Sequence, residues 1–351
     1  MRRKDAGGSR RARPGPGRAS IKDVARQAGV SVGTVSNVLN RPDFVAEPTR
    51  ERVLAAMSTL SFVRNGSARQ LRAGCSTTVG VMVLDLGNAF YTELVRGIED
   101  RLAADGLLLM LCSSDEDPQR EARYLRQFAE QGVRGMLVAP FQTSPQWLAD
   151  LASLRTPVVL LDTHATSLPS VGVDNVLGAR LAVEHLLSNG HRRILLVNGP
   201  SDLQQCRDRA AGAEEAVRLA GLDPATVLDE ITLPDTTAEA GAARMNEVLG
   251  RGLQVSAVFC VNDSVALGVM RALRSHQVSL PGDVAVVGYD DVPLARELAV
   301  PLTSVRQPMP EIGWRAADIL LSGQQTGHVS FAPELVVRAS SDWRVAPAAR
   351  T

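Results

Sequence analysis

A chain of 351 residues, 45% of them hydrophobic, is long enough for two or three domains with cores of their own, which excludes a disordered or fibrous protein. The formal net charge is zero but unevenly spread: residues 1–72 carry 15 Lys and Arg against 5 Asp and Glu, and the remainder carries 23 against 33. A basic head on an acidic body suits a nucleic-acid-binding module joined to a domain with another task.

Residues 1–19 place Arg2, Arg3, Lys4, Arg10 and Arg11 among Gly, Ser and Pro, with no apolar run behind the charges. That composition predicts a disordered basic tail that attracts phosphate, and neither a secretory signal nor a membrane anchor.

From Ser20 the pattern predicts two short helices with a tight corner between them. Ser20 is placed to cap the first helix, with Asp23 at its third position, where a carboxylate also favours the positive helix end. Val24, Ala25 and Ala28 form one apolar stripe, and Gly29 supplies the positive φ that ends the helix. Ser31 is a second N-cap, and Val35, Val38 and Leu39 give the second helix its inward face. Val32, Gly33, Thr34, Ser36 and Asn37 face away from that core, as the positions a DNA-reading helix presents to a major groove. The run from Gly29 to Gly33 also spells the Gly-x-Ser-x-Gly nucleophile elbow of hydrolases. An elbow follows a strand, whereas an amphipathic helix precedes Ser31, so Ser31 reads as an N-cap.

Residues 41–46 read as a loop and 47–60 as a third helix with Pro48 in its first turn. Val53, Leu54, Met57 and Leu60 are expected to close a three-helix core, completing a headpiece over 20–64. Residues 65–72 are barely two turns long and marginal as an isolated helix. The segment 65–76 is therefore either a hinge that folds against DNA or a plain linker.

From Thr78 onward short apolar runs alternate with amphipathic stretches. Strands are predicted at 79–84, 107–112, 135–138, 157–161, 194–197, 230–233, 257–261 and 284–287. Helices are predicted at 90–104, 118–130, 176–188, 206–219, 238–249 and 264–275. Such alternation means parallel sheets covered on both faces. There are too many units for one sheet, so residues 77–345 read as two doubly wound lobes, with 346–351 a short tail. Ligands bind beyond the carboxyl ends of such strands. Asp85, Asn88, Ser113, Ser114, Asp162, Asn198, Asn262, Asp263, Asp290 and Asp291 stand at those ends, and their carboxylates and amides suit a carbohydrate or a nucleoside.

Enzyme motifs are missing. Lys4 and Lys22 are the only lysines, so no Gly-rich phosphate loop has its lysine. The five histidines show no metal-ligand spacing, and Cys75, Cys112, Cys206 and Cys260 lie far apart. The expectation is no catalytic residue, no metal and no cofactor, with free thiols in a reducing, cytoplasmic compartment.

Taken together, the motifs resemble those of the LacI/GalR family of bacterial transcriptional regulators from about Ser20 to Asp342. The resemblance is carried by Ile21 to Ala25 with Gly29 to Asn40, and by Ser67 to Leu71. It continues in Val173 to Asn175 with Ala182 to Leu186 and Gly190-His191, in Val261 to Asp263 with Ala266 to Gly268, and in Val286 to Asp291 with Pro301 to Gln307. It implies an all-α helix-turn-helix headpiece and an α/β body of periplasmic-binding-protein type. The implied protein is a sequence-specific repressor, dimeric or of higher order on a palindromic operator, modulated by a small-molecule effector such as a sugar or sugar derivative.

DNA contacts then fall on Ser31, Val32, Gly33, Thr34, Ser36, Asn37 and Asn40, and on Ser67, Arg69 and Leu71 of the hinge, with Leu71 wedged into the minor groove. Val32 would meet thymine methyls and Asn37 base edges, while Thr34 and Ser36 hold phosphates. Effector contacts fall on Asn88, Phe90, Asp162, Arg207, Asn262 and Asp290, with Arg207 as a two-oxygen clamp. The first lobe would hold 77–173 and 304–331 and the second 174–303 and 332–345, the chain crossing near 174, 301–305 and 331–337. The chain departs from the family at Arg64 and Ala89, where proline is common, and at Thr236 and Ala213, where aromatic residues are frequent. A solute-binding protein of a transport system shares the two-lobed body and is the alternative.

Overall fold

The computed structural model describes residues 19–62, 76–164, 167–252, 254–324 and 326–342. The hinge residues Ser67, Arg69 and Leu71, the departure at Arg64, and both tail expectations except Ala19 lie outside the described residues. The chain divides into two compact units after Gly74.

The first unit holds α1 (Ile21–Ala28), α2 (Val32–Asn40), a 3₁₀ turn (Pro42–Phe44) and α3 (Glu47–Thr59). Ser20 and Asp23 form a reciprocal capping box: the Asp23 N–H donates to Ser20 Oγ at 3.4 Å, and the Ser20 N–H donates to Asp23 Oδ2 at 3.0 Å. Such a cap contributes about 1 kcal/mol. Gly29 turns the corner at φ +64°. Val24, Val35 and Val53 are fully buried at the centre, joined by Ala25, Ala28, Val38 and Ala56. Leu54, expected inside, is 50% exposed. On α3 the inward stripe is Val53, Ala56, Met57 and Leu60, and Leu54 sits about 100° around the helix from Val53.

In the second unit the first lobe holds β1 (Thr78–Val83), α4 (Ala89–Ala104), β2 (Leu108–Ser113), α5 (Pro118–Glu130), β3 (Met136–Val138), α6 (Pro145–Ser153), β4 (Val158–Leu161) and β5 (Ser170–Val173). The second lobe runs through α7 (Asn175–Ser188), β6 (Ile194–Asn198), α8 (Gln204–Leu219), α9 (Pro224–Val227), β7 (Leu228–Thr232) and α10 (Ala238–Gly250). It continues through β8 (Ala257–Cys260), α11 (Asp263–Ser275), β9 (Ala285–Asp290), α12 (Pro293–Glu297) and β10 (Thr303–Arg306). The chain then returns to the first lobe for α13 (Met309–Ser322) and β11 (His328–Phe331), and passes back for β12 (Glu334–Val336).

Each lobe has a six-stranded sheet, ordered β11-β5-β4-β3-β1-β2 and β12-β10-β9-β8-β6-β7. All pairings are parallel except that of β12 with β10. The order reverses beside β1 and beside β6, which opens a crevice at the carboxyl end of each sheet.

The second crossing falls later than the sequence suggests. Thr303 to Arg306 pair with Val287 to Asp290 of β9, so residues 304–306 belong to the second lobe. Thr303, Ser304 and Val305 are fully buried there because β9 otherwise presents an open edge. The chain leaves only at Gln307.

Helices α4 and α13 touch backbone to backbone. A Cβ on Gly97 would lie 1.9 Å from the Pro310 carbonyl oxygen, and one on Gly313 would lie 1.9 Å from that of Leu94. Gly97→Ala is therefore expected to destabilise the protein by about 1–3 kcal/mol through overpacking, against a helix-propensity gain of at most about 1 kcal/mol. Urea unfolding checks this, with Gly250→Ala as the control at a site with open space around it.

Candidate functional site

Two surfaces carry the polar residues that the sequence singles out, one in each unit. On α2, Val32 is 39% exposed, and Gly33, Asn37 and Asn40 are exposed beside it. Val35 and Val38 anchor the opposite face. A Cβ at Gly33 would meet only Ser31 Oγ, at 3.5 Å, so the headpiece itself does not require glycine there. The bare backbone leaves that spot open to close approach by a partner.

The hydroxyls on this surface also serve the helix. Ser31 Oγ accepts the Thr34 N–H at 3.0 Å and lies 2.9 Å from Thr34 Oγ1, as an N-cap does. Asn40 Nδ2 donates to the Ser36 carbonyl at 2.9 Å and to Ser36 Oγ at 3.2 Å.

In the second unit a cavity with about 390 Å³ of empty space lies between the carboxyl ends of the two sheets. Leu84, Asp85, Asn88, Phe90, Tyr91, Glu116 and Asp162 line it from the first lobe. Leu203, Gln205, Cys206, Arg209, Thr236, Val261, Asn262 and Asp290 line it from the second. Of the expected effector contacts, the structure brings Asn88, Phe90, Asp162, Asn262 and Asp290 together here. Asn88 and Asn262 have structural duties as well: each caps the helix that follows, accepting the Phe90 N–H at 3.0 Å and the Val265 N–H at 2.8 Å. Asn262 Nδ2 also donates to the Thr236 carbonyl at 3.1 Å.

Arg207 is not part of the cleft. It is exposed, and its guanidinium donates to the Ser201 carbonyl and to Gln204 on its own side of α8. The buried guanidinium is that of Arg209, two residues on and 3% exposed. Two residues along a helix is about 200°, so 207 and 209 lie on opposite faces. Arg209 Nε donates to Asn175 Oδ1 at 2.9 Å, and Nη1 donates to the Val261 carbonyl. Nη2 stands 3.9 Å from Asp290 Oδ1, and the guanidinium lies 3.6 Å from the centre of the Tyr289 ring. The sequence did carry the signal. Cys206, Arg209, Ala213 and Ala216 repeat at spacings of three and four as the buried stripe of α8.

The other strand-end residues part ways. Asn198 is spent inside the second lobe on the Cys206 carbonyl and Glu230. Asp263 accepts from Ser304 Oγ and the Val292 N–H. Asp291 pairs with Arg306 and Arg338, close to the second and third crossings. Ser113 and Ser114 point their hydroxyls at carbonyls of the β1 end. Ala213 is fully buried in the second-lobe core, so its departure from the family does not touch the cleft, whereas Thr236 lines it.

Burial sets the electrostatics. Asp290 is pushed up to about 7, first by burial and then by the Asp162 charge, against the pull of Arg209. Asp162 is pushed up to about 6 by burial, opposed by Arg209 and by the neighbouring Tyr91 hydroxyl. Burial likewise pushes the Cys206 thiol up to about 12, so it lines the cleft as a neutral group. Asp162 and Asp290 also hold φ of +53° and +109°, backbone strain of the kind stored at functional sites. Asp162 Oδ1 is buried without a hydrogen-bond partner, which is an acceptor awaiting a donor. Among the described residues no group of three or more His, Cys, Asp or Glu side chains is placed to hold a metal ion. The arrangement can recognise a small polar molecule by directional hydrogen bonds and can close around it.

Residues 20–65 match the family described as bacterial regulatory proteins, lacI family, and residues 183–341 match the periplasmic binding protein-like domain. The chain is 34% identical over 332 residues to the HTH-type transcriptional repressor PurR of Photobacterium profundum, covering 92% of this chain and 98% of that relative. It is 36% identical over 308 residues to the ribose operon repressor of Escherichia coli, covering 86% and 92%. Among solved structures, the lac repressor dimer bound to operator and the anti-inducer ONPF superposes with a TM-score of 0.80 at 29% identity, covering 93% and 99%.

The raised carboxyls carry a pH signature. An unfolded Asp titrates near about 3.9, so Asp162 and Asp290 hold their protons more tightly in the folded chain. Their contribution to stability is fully present below that value and is lost as pH rises through about 6 and about 7. Denaturant unfolding of the ligand-free protein between pH 5 and pH 8 should show this loss, and Asp290→Asn should flatten it. Identical pH profiles for the two proteins would show that Asp290 ionises as easily folded as unfolded.

Proposed function

Since the chain belongs to the lacI family of bacterial regulatory proteins, we propose that α2 reads an operator and that the cleft of the second unit binds the effector controlling it. The protein is a DNA-binding transcriptional repressor and not an enzyme. It acts as a homodimer on operator DNA. Two readings favour regulation over transport: the helical headpiece with its exposed α2, and the likeness along nearly the whole chain to repressors. With DNA as its partner, the protein works in the cytoplasm at the nucleoid. No helix among the described residues is long and apolar enough to cross a membrane.

In the headpiece, Val32 offers a methyl-bearing surface to thymine and Asn37 an amide to base edges, while Ser31, Thr34, Ser36 and Asn40 serve the backbone. Ser67, Arg69 and Leu71, outside the described residues, are the further DNA contacts in this reading, with Leu71 as the minor-groove wedge. The effector is a sugar or a related polyhydroxyl compound. It is held by Asp162, Asn262 and Asp290, by Asn88 and Phe90, and by Arg209 in the clamp role first given to Arg207. The observation that carries this reading is the Arg209 guanidinium, buried beside Asp290 with the unpartnered Asp162 oxygen in the same cavity. The ribose operon repressor among the relatives supports a sugar. Effector binding changes the preferred lobe arrangement and so the order of the hinge, a coupling on the order of 1–3 kcal/mol.

Operator selected from a random DNA pool, followed by anisotropy titration of the labelled operator with and without candidate sugars, tests the scheme. Arg209→Met should keep operator affinity at fixed salt and lose effector response by tenfold or more, while Arg207→Met behaves as the parent. Equal response in the two variants would remove Arg209 from the site. In the same assay Asn37→Ala should relax base preference at one symmetric pair of operator positions, and affinity should fall steeply with salt.

A further inference from the structure

The cleft holds more carboxyl groups than its one cation can pair with. Four carboxyl groups line it, those of Asp85, Glu116, Asp162 and Asp290, against the single guanidinium of Arg209. Arg209 serves the inner pair. The outer pair, Asp85 and Glu116, sits half-buried on the loops that follow the adjacent strands β1 and β2.

Glu116 is the telling residue. The charges that bear on it are those of Asp235 and Asp85, both negative, and burial combined with this repulsion holds its carboxyl above the usual range. Its Oε1 accepts a hydrogen bond from across the cleft, from Thr236 Oγ1 at 3.2 Å. Asp235 is occupied by its own turn, accepting from the Thr237 N–H at 3.0 Å and from Thr237 Oγ1 at 2.6 Å. Asp85 Oδ1 accepts the Gly87 N–H at 2.7 Å, within its own loop. Deeper in the cavity, the buried and unpartnered Asp162 Oδ1 independently marks where a ligand donor belongs.

Shape narrows the ligand further. The aromatic side chains lining the cavity, Phe90 and Tyr91, both come from the first lobe, and the second lobe opposes them with Thr236, Leu203 and Val261. A flat base gains most from aromatic faces on both sides, whereas a saturated ring needs one apolar face and many hydrogen-bond acceptors around its edge.

We propose that the effector is an amino sugar, its ring hydroxyls against Asp162, Asp290 and Arg209, and its ammonium held at the mouth of the cleft beside Glu116 and Asp85. The proposal rests on the effector-binding role assigned to this cleft above. Bound there, the ammonium supplies the missing positive charge and takes over Glu116 Oε1, the oxygen that accepts from Thr236. Glu116 is thus a specificity-determining residue: it separates an amino sugar from its neutral parent.

Isothermal titration of the full-length protein at about pH 7 tests this with glucosamine, galactosamine and mannosamine, each against glucose, galactose or mannose, and with ribose. At least one amine is expected to bind about tenfold or more tightly than its parent hexose. Glu116→Gln should bring that ratio close to one, and Asp85→Asn should lower it by less. A neutral hexose or ribose binding as tightly as the amines overturns the proposal and leaves the effector cleft standing. An amine preference that survives Glu116→Gln overturns the assignment of Glu116. Failure of every sugar, amine and neutral alike, overturns both this proposal and the sugar reading of the cleft.

Discussion

A guanidinium cannot shed its proton, so burying one is tolerable only where acceptors and charges converge on it. Arg209 meets that demand at 3% exposure, and much of the body is arranged accordingly. Asn175 stands just after the first crossing between lobes, Val261 just after β8, and Asp290 at the end of β9. The Tyr289 ring covers the guanidinium face, and Gly178 of α7 is bare because a Cβ there would fall 2.1 Å from the Tyr289 hydroxyl. Three strand or helix ends of one lobe are thereby tied to one cation, while Asp162 approaches the same charge from the other lobe.

The same constraint makes the cleft responsive. Its carboxyls exceed its cations, and burial denies them the water that would otherwise screen them. Asp162 Oδ1 is buried without a partner, and a molecule bearing donors satisfies it while meeting Arg209, Asn262 and Asp290 of the other lobe. Binding therefore favours one arrangement of the lobes over others, which is the differential affinity a switch needs. Within each lobe motion is restrained by tight packing, as where α4 and α13 meet through Gly97 and Gly313. The chain passes between the lobes three times, and Asp291, held by Arg306 and Arg338, fixes the second-lobe side of two of those passages.

Much of the headpiece was legible because its determinants are local. A capping box spans three residues, a left-handed glycine acts at one, and the apolar stripe of a helix repeats within two turns. Errors arose where choices between neighbouring residues depend on which face meets the core. Leu54 and Val53 are adjacent and equally apolar, and only the packing of α3 selects Val53. Arg207 and Arg209 pose the same problem in charged form. There the periodicity of Cys206, Ala213 and Ala216 would have resolved it, since Arg209 shares their stripe. The short strands β5, β10, β11 and β12 fall where the pattern predicts no strand, and α6 and α13 where it predicts no helix. Strands of four, four, four and three residues carry little periodicity of their own and are defined by their partners, as β11 is by pairing with β5.

The sequence by itself determined the headpiece helices, the alternation of the main strands and helices, the two-lobed plan, the exposed polar face of α2 and most residues at the strand ends. Those properties follow from patterns within one element or from motifs of fixed spacing. Only the tertiary structure decided which strand-end residues converge. It sent Asn198, Asp263 and Asp291 inward to structural partners and brought Tyr91, Glu116, Thr236 and Arg209 to one cavity. The physical reason is that a buried charge is defined by what surrounds it, and those surroundings are drawn from segments separated by as much as the length of a lobe.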